Sequence, residues 1–252
     1  MEKICKSTAF IAIVGIPNVG KSSILNKMLG QKISIVSAKP QTTRTRIMGI
    51  LTENEVQLVF IDTPGVHRPR TQLGKYMEKS IKKSISDVDA CMLVIDAQKE
   101  ISEQEIALME KFKSLDIPAI LAINKIDLLK DKSLLMEKIQ KFSKSFNFSA
   151  VVPVSAKTGD GLLDLKKELK GLASEGEHFF AEDEITDQPE RVIASEIIRE
   201  KLLKLLDKEI PHGIAVSVEK MREREDGKEI IDIDATIYCE KDTHKGIIIG
   251  KK

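Results

Sequence analysis

Gly15, Ile16, Pro17, Asn18, Val19, Gly20, Lys21 and Ser22 satisfy the spacing G-x-x-x-x-G-K-[ST], after one apolar run and before a helical pattern. That context is what a phosphate-binding loop requires. Glycines let the backbone wrap an anion, so that successive N–H groups and a helix N-terminus converge on it. Lys21 has the reach and charge for the outer phosphates of a nucleotide, and the Ser22 hydroxyl suits Mg2+. A plain glycine-rich turn is the competing account. The Lys-Ser pair and the strand-to-helix context weigh against it.

Phe60 to Gly65, reading FIDTPG, puts Asp62, Thr63, Pro64 and Gly65 at the end of a second apolar run, where the ligands of buried parallel sheets collect. Asp62 there can hold a water on Mg2+, and the Gly65 N–H can meet a γ-phosphate. Taken alone, the same residues also describe an ordinary turn. Ile123 to Asp127, reading INKID, closes a further run. Asp127 can accept from both N1–H and the 2-amino group of guanine, whereas adenine offers neither donor and leaves the carboxylate unpaired. Asn124 can meet the other edge of the base, the Lys125 stem can lie along its ring, and Ile126 sits between them. Val154 to Lys157 ends the next run, and the N–H groups of Ser155, Ala156 and Lys157 can face the base carbonyl. Each of these is weak singly, because Asn, Asp and Lys are common in solvated strand-end turns.

The four matches stand in one order, each at the C-terminal end of a predicted strand, and the set resembles the translation-factor-related GTPases. The resemblance implies GTP and Mg2+ as the bound species. It puts Thr43, with Thr42 as the alternative, on Mg2+ and the γ-phosphate, within the hydroxyl-rich stretch 37–49 that corresponds to a first switch. Ser22, Thr43 and Asp62 then form the metal set, and Lys21, Thr43 and Gly65 the groups acting on the γ-phosphate. Residues 65–75 correspond to a second switch. A loop tied down by a γ-phosphate relaxes after hydrolysis; a pair of mobile surface loops is the plainer account.

Val66, counted with the nucleotide loops, departs from the Ras-like pattern. There a Gln just after the glycine orients the attacking water, which an aliphatic side chain cannot do. Unaided hydrolysis is therefore expected to be slow, relying on electrostatics, a partner or a monovalent cation. Asn18 matches the asparagine through which some relatives bind K+ beside the phosphates, although a tight turn explains an Asn equally well.

These loops need a rigid frame. Apolar runs at 9–14, 56–61, 90–95, 118–123 and 150–154 have the cadence of a parallel sheet buried on both faces. Residues 103–115 and 133–146 carry apolar positions three and four apart, as covering helices do. A doubly wound, mostly parallel α/β domain over residues 1–173 follows.

Residues 174–190 hold seven acidic residues and no Lys or Arg, which reads as a linker. Beyond it a helical stripe runs through Ile193, Ile197, Leu202, Leu205 and Leu206, with Pro189 at its start. Strand-like runs at 213–221 and 229–239 join through Asp226 and Gly227. Residues 182–202 resemble the join between the two domains of the bacterial Era GTPase family, and the likeness extends from Phe10 over nearly the whole chain. In that family a type II KH module of order α-β-β-α-α-β binds the 3′ end of small-subunit ribosomal RNA. KH modules clamp about four nucleotides with a G-x-x-G loop. Residues 191–252 then form a partial, α+β KH module. Gly250, Lys251 and Lys252 match the first three residues of the loop, and its closing glycine, next helix and last strand are expected beyond them. A solvated chain end also accounts for the two lysines. The form ending at Lys252 is expected to bind GTP but to bind RNA poorly.

Composition sets the outer limits. The 252 residues are 42% hydrophobic and 31% charged, as in a soluble globular protein, with 4% aromatics and no Trp. Forty basic against 39 acidic residues give no whole-chain attraction to nucleic acid or membrane. Residues 189–252 carry 13 Lys and Arg against 14 Asp and Glu, so RNA binding rests on the resemblance and not on charge. Cys5, Cys91 and Cys239 are scattered and suggest neither disulfides nor zinc, which fits a reducing cytoplasm. The apolar run after Lys3 and Lys6 is short for a secretion signal, and Gly246 and Gly250 lie in too short an apolar stretch to pair membrane helices.

The leading expectation is a monomeric GTPase whose nucleotide state gates binding to small-subunit ribosomal RNA and the 30S-type subunit during assembly. A GTP-dependent switch held peripherally at the inner membrane face, with hydrolysis as its timer, is the alternative. A third account, a GTPase acting on transfer RNA, is opposed by the helix-strand-strand order of the C-terminal part.

Overall fold

Branched aliphatic runs buried on both sides pair as parallel strands. The computed structural model describes residues 5–37, 42–43, 46–65, 84–85, 87–131, 133–206, 213–224 and 229–250. Its contacts divide the chain into two units, Met1–Ser34 with Thr43–Asp187 and Ile35–Thr42 with Gln188–Lys252.

In the first unit the strands are β1 (Ser7–Val14), β2 (Ile47–Glu53), β3 (Val56–Asp62), β4 (Ala90–Asp96), β5 (Ala119–Asn124), β6 (Ala150–Pro153) and the short β7 (Ser174–Glu175). Their order is β2-β3-β1-β4-β5-β6, with β7 beside β1. The five expected runs form the parallel part, and β2 and β7 are antiparallel additions. β2 pairs with β3 through a two-residue turn in which Asn54 takes a left-handed φ of 54°, a conformation that Asn tolerates.

Period-two alternation sends neighbouring side chains to opposite faces. Met92 and Val94 of β4 pack with α1 (Lys21–Leu29) and α4 (Leu162–Lys170), whereas Cys91, Leu93 and Ile95 pack with α2 (Glu103–Leu115) and α3 (Ser133–Ser145). Each fully buried Leu, Ile or Phe contributes about 1.5–3 kcal/mol. α2 opens with a reciprocal cap: Ser102 Oγ accepts from the Glu105 N–H, and the Glu105 carboxylate accepts from the Ser102 N–H.

The acidic stretch expected to link two domains lies against the sheet as far as Asp187. The side chain of Gln57 is fully buried: its Oε1 accepts from the Phe179 and Phe180 N–H groups, and its Nε2 donates to the Phe180 carbonyl at 2.9 Å. The Phe179 ring meets Phe10 edge-on at 5.0 Å. Further along, the Ile50 N–H donates to the Ile185 carbonyl, Thr186 Oγ1 donates to the Met48 carbonyl, and the Met48 N–H donates to Asp187 Oδ1. Acidic side chains can stay in water while the backbone of such a strap pairs.

The second unit contains α5 (Glu190–Leu205), β8 (Ile214–Glu223), β9 (Ile231–Cys239) and α6 (Asp242–Ile249). β8 and β9 are antiparallel, with a register shift between Val218 and Lys220. The expected turn at Asp226 and Gly227 lies outside the described residues. The stripe expected along α5 is only partly realised: Leu205 is exposed, and the buried positions are Arg199, Glu200 and Leu203. Among the described residues no helix is long and apolar enough to cross a membrane. All three cysteines are free.

Candidate nucleotide-binding site

The sheet order reverses at β1, and the loop that follows it opens into the crevice where such sheets bind ligands. Two glycines there are dictated by crowding. A Cβ on Gly15, at φ 150°, would stand 2.3 Å from the Val94 carbonyl oxygen, and one on Gly20, at φ 100°, 2.2 Å from Asn124 Nδ2. Lys21, buried at the first position of α1, donates to the Gly15 and Ile16 carbonyls at 3.1 and 3.2 Å. Burial lowers its ammonium pKa to about 8, with the Asp62 charge pulling the other way. An ammonium so placed gains more from an incoming phosphate than one already in water.

Ser22, Thr43 and Asp62 come together as expected. Ser22 Oγ donates to Asp62 Oδ2 at 2.6 Å and lies 3.2 Å from Thr43 Oγ1. Ser34, a residue the sequence did not single out, donates to the same carboxylate oxygen at 2.8 Å. Asp62 Oδ1 is buried without a partner among the described residues. Burial holds the Asp62 carboxyl above its ordinary value, opposed by hydrogen bonds from Ser22 and Ser34 and by the Lys21 charge. A buried carboxylate with one oxygen unsatisfied, two hydroxyls beside it and only oxygen donors fits a hard divalent cation such as Mg2+. Ser22, Thr43 and Asp62 are the residues that would hold it. The neighbouring Thr42 carbonyl accepts from Arg199. Thr63 Oγ1 donates to the Ile13 carbonyl at 2.7 Å, pinning the loop after β3 to β1, and a Cβ on Gly65 would meet Pro17 at 2.8 Å. Gly65 therefore lies directly against the phosphate loop, while Val66 lies outside the described residues.

The base-side residues knit three loops together. Asn124 Nδ2 donates to the Val19 carbonyl at 2.8 Å, and its Oδ1 accepts from the Ala156 N–H at 3.0 Å. Asn124 thus acts as a staple between the phosphate loop and residues 155–157. The Ser155 N–H donates to the Asp160 carbonyl. Of the three amides expected to face a base carbonyl, that of Ser155 bonds within its own loop and that of Ala156 bonds Asn124. Ser155 Oγ instead donates to Asp127 Oδ1 at 2.7 Å and orients that carboxylate. Ile126 begins a 3₁₀ turn that carries Asp127. Lys125, at φ 68°, donates to the Asn18 carbonyl at 2.7 Å and to Asp96 Oδ2 at 2.8 Å.

Asp96 was also not foreseen, though the signal was present: ACMLVID ends an apolar run with Asp just as VQLVFID does at Asp62. In the second unit Gly250 follows α6 at φ 80°, and Lys251 and Lys252 lie outside the described residues.

Comparison with known proteins shows the family. Residues 10–125 match the family described as 50S ribosome-binding GTPase, and residues 209–252 match the KH domain. GTPase Era of Ruminiclostridium cellulolyticum is 48% identical over 245 residues, which span 97% of this chain and 81% of that protein. A crystal structure of Era in complex with MgGDPNP and nucleotides 1506–1542 of 16S ribosomal RNA matches with a TM-score of 0.90 at 37% identity, covering 98% of this chain and 83% of that one. A point variant of Aquifex aeolicus Era bound to GDP and AlF4− matches with a TM-score of 0.91 at 37% identity, covering 97% and 83%. The chain belongs to the Era family of GTPases, a P-loop GTPase domain followed by KH-domain sequence.

Proposed function

We propose that this chain is a GTP-hydrolysing switch that binds the 3′ end of small-subunit ribosomal RNA and assists small-subunit assembly in the cytoplasm. The observation that carries the reading is the meeting of the Ser22, Thr43 and Asp62 oxygens directly beside Lys21, with Asp62 Oδ1 left unsatisfied among the described residues.

The residues divide the work. The 15–22 loop offers its N–H groups and the Lys21 ammonium to the phosphates. Ser22, Thr43 and Asp62 would hold Mg2+, which would supply charge neutralisation at the β- and γ-phosphates. The Gly65 N–H meets the γ-phosphate. Asp127, oriented by Ser155, takes the guanine edge, and the stapling by Asn124 keeps the base and phosphate loops in register. Val66 offers no group to orient water, so the rate depends on electrostatics together with a cation or partner.

The RNA reading is supported by the solved relative that holds 16S ribosomal RNA nucleotides, and by the order α5-β8-β9-α6 with Gly250 at the first loop glycine. That relative favours RNA over a membrane-face switch. Affinity of the full-length protein for an oligoribonucleotide of the ribosomal RNA 3′ end, with a GTP analogue and with GDP, tests it. We expect tighter binding with the analogue; no preference over an unrelated single strand would overturn the reading.

A further inference from the structure

The stretch leading to the switch threonines does not group with the sheet that follows it. Ile35–Thr42 clusters with the second unit, and two adjacent α5 side chains grip it at both ends. Glu200, 0% exposed, accepts from the Val36 N–H at 3.0 Å. Arg199, 2% exposed, donates through Nη2 to the Thr42 carbonyl at 2.5 Å. Glu196 holds the Arg199 guanidinium in a fork, with Nε and Nη2 donating at 2.8 and 2.5 Å, and Lys204 faces Glu200 at 3.3 Å. Buried ions persist only with such partners. Here they hold backbone groups of Val36 and Thr42.

The oxygen that Arg199 binds belongs to the planar peptide unit that also carries the Thr43 nitrogen and Cα. Fixing it fixes the plane from which the Thr43 side chain projects towards Ser22. Two successive threonines therefore have separate anchors, Thr42 by its carbonyl on α5 and Thr43 by its hydroxyl at the metal set.

We propose that Arg199 and Glu200 are positioning residues for Thr43, so that holding the Val36 N–H and the Thr42 carbonyl on α5 and placing Thr43 on the Mg2+ and γ-phosphate are one equilibrium. This rests on the reading of Thr43 as the switch ligand. By linkage, a nucleotide that recruits Thr43 favours the α5 contacts, and loss of those contacts weakens that nucleotide alone. GDP, which lacks the γ-phosphate, is indifferent to them.

The test is fluorescence titration of the full chain with a labelled, non-hydrolysable GTP analogue and with labelled GDP, both with Mg2+. Arg199→Met keeps the buried stem and removes the fork. It is expected to weaken the analogue roughly tenfold while leaving GDP within about twofold. Thr43→Ala is expected to do the same, and the double variant to lose little more than either single one. If Thr43→Ala weakens the analogue selectively and Arg199→Met does not, the positioning role is overturned and the Thr43 reading stands. If Thr43→Ala leaves the preference intact, the Thr43 reading itself fails. Equal weakening of both nucleotides by Arg199→Met marks a merely structural residue and overturns the proposal. Should that variant not fold, amide exchange in the unaltered chain decides: slower exchange at Val36 with the analogue than with GDP is expected, and equal protection rejects it.

Discussion

Lys125 and Asp96 stand at the ends of adjacent strands with their charges 2.8 Å apart, the carboxylate 3% exposed and the lysine 31%. The Asn18 carbonyl takes a second Lys125 proton, and Lys138 donates to the Asp96 carbonyl from behind. Lys125 is thus fixed between the phosphate loop and β4 before any base arrives. Asp96→Asn is expected to weaken GTP and GDP by the same factor, about tenfold, the lower end of what a charge-assisted hydrogen bond contributes. Titration with both nucleotides checks this, and selective loss of one would contradict it.

Lys21 gives the site a pH dependence. Its ammonium, lowered to about 8 by burial, is already present below that pH and must be regained above it, because bound phosphates favour the charged form. Nucleotide affinity should therefore be full below about pH 8 and fall above it, with a proton taken up on binding. Calorimetry in buffers of different ionisation enthalpy measures that uptake; its absence above about pH 8 argues against a phosphate role for Lys21.

Asp62 bears on stability instead. Its carboxyl is held above 3.8, so the folded, metal-free protein keeps a proton that the unfolded chain has released. The stability it contributes is full below the unfolded value and is lost as pH rises through the raised one. Asp62→Asn should remove that loss, raising the Tm in chelator at neutral pH, while abolishing the Mg2+ enhancement of GTP binding. Thermal scans across pH, with and without Mg2+, read both effects. A lower Tm for the variant in chelator would mean that the charge is better satisfied than its surroundings imply.

Hydrolysis should respond to the monovalent cation. With Val66 in place of a water-orienting side chain and Asn18 in the phosphate loop, single-turnover hydrolysis is expected to run faster in K+ than in Na+, and Asn18→Ala should remove the difference. Equal rates in the two salts would dispose of the cation role.

The parallel strands and the four nucleotide loops were legible because a doubly buried strand must be written in unbroken apolar residues, and the polar residue that ends it faces the crevice. Asp62, Asn124 and Ser155 all follow that rule. β2 was not legible: half of Ile47–Glu53 is only partly buried, and it carries Gly49 within a short run. Arg199 and Glu200 were hidden by the opposite expectation, that charges on a helix face water. Nothing in their local sequence marks them as buried, since the backbone they hold lies more than 150 positions away. The acidic strap misled for a related reason, because composition reports side chains, whereas its attachment runs through the backbone and through Gln57.

That strap also decides how the first unit can meet other chains. An open sheet offers its outer strands as templates for β-augmentation and for edge-to-edge aggregation. Here the β2 border is occupied by residues 185–187. The opposite border, β6, is four residues long and closes on Pro153, which has no N–H to give. Among the described residues neither border leaves a long unpaired ladder, so partners of this unit must recognise its loops and helices rather than extend its sheet.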